Sequence, residues 1–133
     1  MTVVSSETVP VVSESDIVAV RRRVREVAAQ LGFSLVDQTK VVTAASELAR
    51  NTLIHGQGGA MELTSLNGPR VGVRLTFEDK GPGIPDIQLA LRDGFTTGSG
   101  LGLGLGGAKR LVNEFEVISR VSEGTKINIT RWK

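Results

Sequence analysis

Apolar residues recur at two different spacings along the chain, and the change from one to the other marks out its elements. Between Ser13 and Gly32, Ile17, Val20, Val24, Val27 and Leu31 follow at steps of three and four, the repeat of an amphipathic helix. Ser13 with Asp16 supplies an N-cap and an acidic partner, and Gly32 a stop. Ser34 with Asp37 repeats the capping pattern, and Val41, Ala45, Leu48 and Thr52 form the stripe of a second helix ending near Gly56. Period two then takes over. Met61 to Leu66 and Val71 to Phe77 alternate around Asn67-Gly68-Pro69, which predicts a hairpin with Val71, Val73, Leu75 and Phe77 turned inward. A short helical piece over 86–92, a helix from about Gly107 to Phe115, and a closing hairpin of Phe115 to Val121 and Thr125 to Trp132 complete the pattern. Residues Ser5 to Val12 alternate weakly and contain Pro10, which cannot donate to a sheet ladder, so a strand there belongs at an edge. The expected class is α+β, a two-layer sandwich with helices on one face of a mixed, mostly antiparallel sheet.

Composition narrows the function more than the fold. A chain of 133 residues fits one domain with one core. The 16 basic and 14 acidic residues nearly balance, so no nucleic-acid partner is expected despite the basic pI. Cysteine is absent, which removes disulfides, thiol chemistry and the usual zinc ligand sets, and one histidine cannot build a metal cage. The start lacks the basic and apolar regions of a signal peptide, and charges or glycines break every long apolar stretch. A cytoplasmic protein with no membrane contact is expected. Arg21, Arg22 and Arg23 lie on the outer side of the first helix and read as a solvated face.

Three segments carry candidate chemistry. Glu47, Asn51 and His55 follow at i, i+4 and i+8 and share one side of the second helix. They form either a row facing one ligand or a polar outer face on which Glu47 and Arg50 pair, and the helix alone does not choose. Asp79 ends the inner strand of the first hairpin and opens Asp79-Lys80-Gly81-Pro82-Gly83-Ile84-Pro85, where two glycines and two prolines force a sharp turn that permits close approach to another molecule. A carboxylate there is suited to accept from an exocyclic amine such as that of adenine. Asp93 to Gly100 is rich in Gly, Ser and Thr and reads as a mobile lid. After it, Gly100, Gly102, Gly104 and Gly106 clear side chains from backbone amides that could wrap phosphate, ahead of a helix N-terminus.

Two other nucleotide motifs fail on context. The spacing from Gly102 to Gly107 also fits a dinucleotide-binding loop, but no strand feeds into it and a hairpin follows. No Gly-Lys-Ser or Gly-Lys-Thr follows the glycines, which removes a P-loop.

The order and spacing of the three segments resemble the GHKL ATP-binding fold of histidine kinases, gyrase-type ATPases and bacterial anti-sigma-factor kinases. Glu47 to Asn51 resembles the N-box, Asp79-x-Gly81-x-Gly83 the G1 box, Phe95 the phenylalanine box, Gly100 to Gly106 the G2 box, and Gly124-Thr125 the last nucleotide-contacting motif. Asp37-Gln38, Ser46 to Asn51, Gly81 to Asp86, Asp93-Gly94-Phe95 and Lys109-Arg110-Leu111 are similar to the serine/threonine switch kinases of bacterial stressosomes. The resemblance implies ATP and Mg²⁺ as cofactors, with Asn51 as the Mg²⁺ ligand and Glu47 as the base that takes the substrate hydroxyl proton. It implies Asp79 as the reader of the adenine amine, Gly81 and Gly83 beside the base, Gly100, Gly102, Gly104 and Gly106 around phosphate, and Thr125 as a support of the adenine contact. For the γ-phosphate no lysine is obvious, and Arg50, Lys109 and Arg110 are candidates. The chain has no segment that reads as a phosphoacceptor-histidine or transducer domain. The resemblance therefore implies substrates in STAS-domain scaffold and antagonist proteins, followed by activation of a PP2C-type phosphatase. The alternative it leaves is an anti-sigma factor that sequesters a sigma subunit.

Overall fold

The structure, a computed structural model, describes residues 2–91 and 104–133. The chain runs β1 (Thr2–Val11), α1 (Glu14–Gln30), α2 (Leu35–Ile54), β2 (Gly59–Asn67), β3 (Gly72–Asp79), α3 (Ile87–Ala90), α4 (Gly104–Arg110), β4 (Glu114–Arg120) and β5 (Gly124–Trp132). The strands form one sheet in the order β1-β2-β3-β5-β4. Every ladder is antiparallel, so the parallel component that a mixed sheet would carry is absent among the described residues. Two hairpins and an edge strand joined side by side need no parallel crossover.

Local sequence explains most boundaries. Gly32 adopts φ +86, and the amides of Gly32 and Phe33 donate to the carbonyls of Ala29 and Ala28, which closes α1 in the paired bonds of a Schellman motif. Ser34 caps α2 by accepting from the Asp37 amide at 3.1 Å. At the start of α1 only half of the expected cap forms: Asp16 accepts from the Val12 amide at 2.9 Å, while Ser13 makes no side-chain cap. Pro10 lies in edge strand β1, as its missing donor requires.

One expectation moves. The helix expected over Gly107 to Phe115 occupies Gly104–Arg110, and Phe115 lies in β4 opposite Ile129. Asn113 donates its amide to the Thr130 carbonyl, so the ladder has begun before Phe115. Gly106, Gly107 and Ala108 are buried, and small side chains let this helix lie close on its neighbours.

The two long helices cover one face of the sheet. Across four strands Met61, Phe77, Ile127 and Val117 form one row, and Leu63, Leu75, Ile129 and Phe115 the next. Val20, Val24, Val41, Ala45 and Leu48 pack against them in one core. The opposite face carries Glu62, Glu78 and Lys126 to solvent.

Candidate functional site

One step beyond the Met61 row, the same face turns polar. Gly59, Asp79, Thr125 and Ser119 stand side by side in register across β2, β3, β5 and β4, at the end of the core and below the C-terminal end of α2. Asp79 is only 6% exposed. Burial raises its pKa above the usual carboxylate range, while hydrogen bonds from the Gly81 and Thr125 backbone pull it down and the neighbouring Glu78 pushes it up slightly. The Gly81 amide donates to Asp79 Oδ1 at 2.9 Å and so aims the carboxylate.

Glycines leave the space in which that carboxylate sits. A Cβ on Gly56 would lie 2.3 Å from Asp79 Cγ, and one on Gly81 would lie 2.7 Å from the Gly56 backbone. Gly124, at φ +99, would place a Cβ 2.2 Å from the Asp79 carbonyl oxygen. The end of α2, the turn after β3 and the β4–β5 turn therefore meet at backbone distance around one acid. Asn51 ties α2 into this junction, because its carbonyl accepts from both the His55 and Gly56 amides.

The β4–β5 hairpin clamps the loop after Asp79. The Ser122 amide donates to the Pro82 carbonyl at 2.7 Å, and the Ile84 amide donates to Ser119 Oγ at 2.7 Å. Gly83 takes φ +81 with the Arg120 carbonyl where a side chain would stand. Ser119 Oγ also lies 2.8 Å from Thr125 Oγ1.

The residues singled out in the sequence are brought together in part. Glu47 Oε2 accepts from the Gly104 amide at 3.4 Å, a long contact that places the catalytic candidate at the first residue of α4. Asn51 is half-buried one turn on, and Asp79, Gly81, Gly83 and Thr125 share the junction just described. Gly106 lies buried inside α4. Phe95, Gly100, Gly102 and the lid reading fall outside the described residues. His55 forms the C-cap of α2. Arg50 is half-buried on α2, while Lys109 and Arg110 close the exposed last turn of α4. Gly56, Gly59 and Ser119 were not singled out, since each matters only through an approach from a distant segment. The turn near Glu123-Gly124 held the one usable signal, because a three-residue turn pairs Ser119 with Thr125.

The donor set fits a nucleotide carrying its own divalent ion better than a resident metal cage. Among the described residues no group of three or more His, Asp or Glu side chains could hold a metal. Mg²⁺ commonly takes one or two protein oxygens and completes its shell with phosphate and water, which a single Asn51 amide oxygen satisfies. Among those residues no helix is long and apolar enough to cross a membrane.

Comparison with known proteins bears on the family and the fold. Residues 36–132 match the family described as histidine kinase-, DNA gyrase B- and HSP90-like ATPases. The chain is 45% identical over 125 residues to the serine/threonine-protein kinase RsbT of Bacillus subtilis (strain 168), covering 93% of this chain and 94% of that one. It is 34% identical over 110 residues to the anti-sigma F factor of Bacillus thuringiensis (strain Al Hakam), covering 78% and 75%. In fold it resembles the RsbU and RsbW domains of a Mycobacterium tuberculosis protein, with a TM-score of 0.66 at 21% identity over 96% of this chain and 32% of that one. It also resembles the mycobacterial sensor histidine kinase MprB, with a TM-score of 0.56 at 20% identity, covering 96% and 97%.

Proposed function

The chain belongs to the histidine kinase-, DNA gyrase B- and HSP90-like ATPases, and from that premise we propose that it is an ATP-dependent protein-serine/threonine kinase of a partner-switching module, like the RsbT it matches along most of its length. The proposed substrates are STAS-domain scaffold and antagonist proteins in the cytoplasm, and the released kinase then binds and activates a PP2C-type phosphatase. The observation that carries the nucleotide reading is the buried Asp79, a fixed acceptor at the junction where the Gly56, Gly81 and Gly124 backbones come together.

In this mechanism Asp79 accepts from the adenine amine, and Gly81 and Gly83 let the backbone pass beside the base. Asn51 would hold Mg²⁺, which when bound would supply charge neutralisation for phosphoryl transfer. Gly100, Gly102, Gly104 and Gly106 offer backbone amides to the phosphate oxygens. Glu47 takes the proton of the incoming serine or threonine hydroxyl as its oxygen bonds to phosphorus and the bond to the ADP oxygen breaks.

The test is transfer of γ-labelled phosphate from Mg-ATP to purified STAS-domain proteins. Wild type should label a serine or threonine. Glu47→Ala should bind ATP as wild type does and lose transfer by about a hundredfold or more, whereas Asn51→Ala should lose the Mg²⁺-dependent part of binding as well. Transfer by Glu47→Ala at the wild-type rate would remove Glu47 from the chemistry, and no labelling of any STAS protein would remove the substrate class. Similarity to the anti-sigma F factor supports a second reading, sequestration of a sigma subunit, which stable capture of that subunit in the presence of ATP would reveal.

A further inference from the structure

Ser119 is a half-buried hydroxyl in β4 with three polar neighbours, more than its single proton can serve. The Ile84 amide donates to it at 2.7 Å, the Gly124 carbonyl accepts from it at 3.2 Å, and Thr125 Oγ1 lies 2.8 Å away. A hydroxyl offers one proton and two lone pairs. Ile84 fills one lone pair, so two arrangements are open. If Ser119 gives its proton to Thr125, the Gly124 carbonyl loses this donor and the Thr125 proton is free to turn into the cleft. If Ser119 gives its proton to Gly124, Thr125 must donate to the second lone pair of Ser119, and all four groups are bonded. Gly124 and Thr125 are both buried, and buried polar groups are paired wherever geometry allows. The second arrangement is therefore favoured, and in it Thr125 shows only lone pairs to whatever occupies the cleft.

Thr125 stands directly across from Asp79, whose carboxylate, already accepting from the Gly81 amide, likewise offers only lone pairs when ionised. We propose that Ser119 is a positioning residue that sets base specificity, by holding the Thr125 hydroxyl as an acceptor beside Asp79 so that the pair suits a purine with a 6-amino group and rejects one with a 6-oxo group. The proposal rests on the nucleotide reading of the cleft given above. Adenine brings N–H donors to two acceptors, directly or through one water. Hypoxanthine brings a carbonyl oxygen to the same place and meets lone pairs. Without Ser119 the Thr125 hydroxyl rotates freely and can donate to that oxygen.

The test compares Mg-ATP with Mg-ITP, which differ at this edge of the base, by calorimetric titration of wild type, Ser119→Ala, Ser119→Thr and Thr125→Val. Wild type should prefer ATP. Ser119→Ala should narrow the ATP-to-ITP affinity ratio by about fivefold, the effect of one hydrogen bond gained or lost. Ser119→Thr keeps a hydroxyl and should restore the wild-type ratio. A purely structural role would weaken both nucleotides alike, so an unchanged ratio in folded Ser119→Ala overturns the proposal. If Ser119→Ala does not fold, Thr125→Val decides: it removes the acceptor, leaves Ile84 bonded to Ser119, and should narrow the ratio similarly, and an unchanged ratio is again fatal. Wild type that binds neither nucleotide overturns the nucleotide reading itself and this inference with it, an outcome distinct from tight ATP binding with an unchanged ratio.

Discussion

Asp79 stands in a place where charge is costly. The folded state holds a proton on this residue more tightly than the unfolded chain does, because burial raises its pKa more than the Gly81 and Thr125 backbone bonds lower it. For a carboxylate shifted this way, stability falls as pH rises through the interval between the unfolded and folded values, and the cost is fully present at neutral pH. Asp79→Asn removes that cost and keeps an oxygen for the Gly81 amide. At pH 7 the variant should melt at or above the wild-type temperature, with the advantage vanishing near about pH 4, while its ATP affinity is largely lost. Calorimetry at the two pH values checks both arms, and unchanged ATP affinity in the folded variant would contradict the role of this acid. Gly56→Ala acts on the same carboxylate from the other side. Its Cβ would fall 2.3 to 2.6 Å from the Asp79 side chain, so it should raise the ATP Kd by about tenfold or more, at a stability cost of about 1–3 kcal/mol from overpacking.

At the level of elements, α2 serves the core and the cleft with adjacent residues. Leu48 is fully buried, and Leu48→Ala should cost about 2–5 kcal/mol in urea unfolding. Glu47, half-buried on the adjoining side, should change stability by less than about 1 kcal/mol when replaced by alanine, although transfer should fall as predicted above. A similar contrast separates two ion pairs. Arg131 in β5 bonds Asp37 at the start of α2 at 2.8 Å and the Leu111 carbonyl after α4 at 3.3 Å, and is only 17% exposed, so it ties three elements together. Arg23 in α1 meets Glu7 in β1 at 2.7 Å with both side chains more than a third exposed. Arg131→Ala should cost about 2 kcal/mol or more and Glu7→Ala about 1 kcal/mol or less. Equal losses in the two variants would mean that burial does not set the worth of these pairs.

For the whole molecule, a single core joins both long helices to the inner face of all five strands. We expect one cooperative unfolding transition, with calorimetric and van't Hoff enthalpies in agreement. Mg-ATP at about a hundred times its Kd should add about 2.7 kcal/mol by linkage, and Asp79→Asn should show no such gain. Two resolved transitions in the absence of ligand would contradict a single folding unit.

Features carried by neighbouring residues were legible in the chain itself. The three-and-four repeat from Ile17 to Leu31, the Ser34 cap, the stop at Gly32 and the alternation through Phe77 each depend on contacts a few residues apart, and each stands in the structure. The order and spacing of Glu47 to Asn51, Asp79-x-Gly81-x-Gly83 and Gly124-Thr125 likewise resembled the motifs of the ATP-binding family that residues 36–132 match. What neighbours could not settle was decided by register and by approach across the fold. The start of α4 within the glycines depends on packing against α2, and the absence of a parallel strand among the described residues depends on how two hairpins join. Gly56 is required because Asp79 arrives from another element, and Ser119 matters because β4 and β5 align it with Thr125. Periodicity records which side of an element is buried, but not which residues of another element will stand against it, and the cleft is made of such meetings.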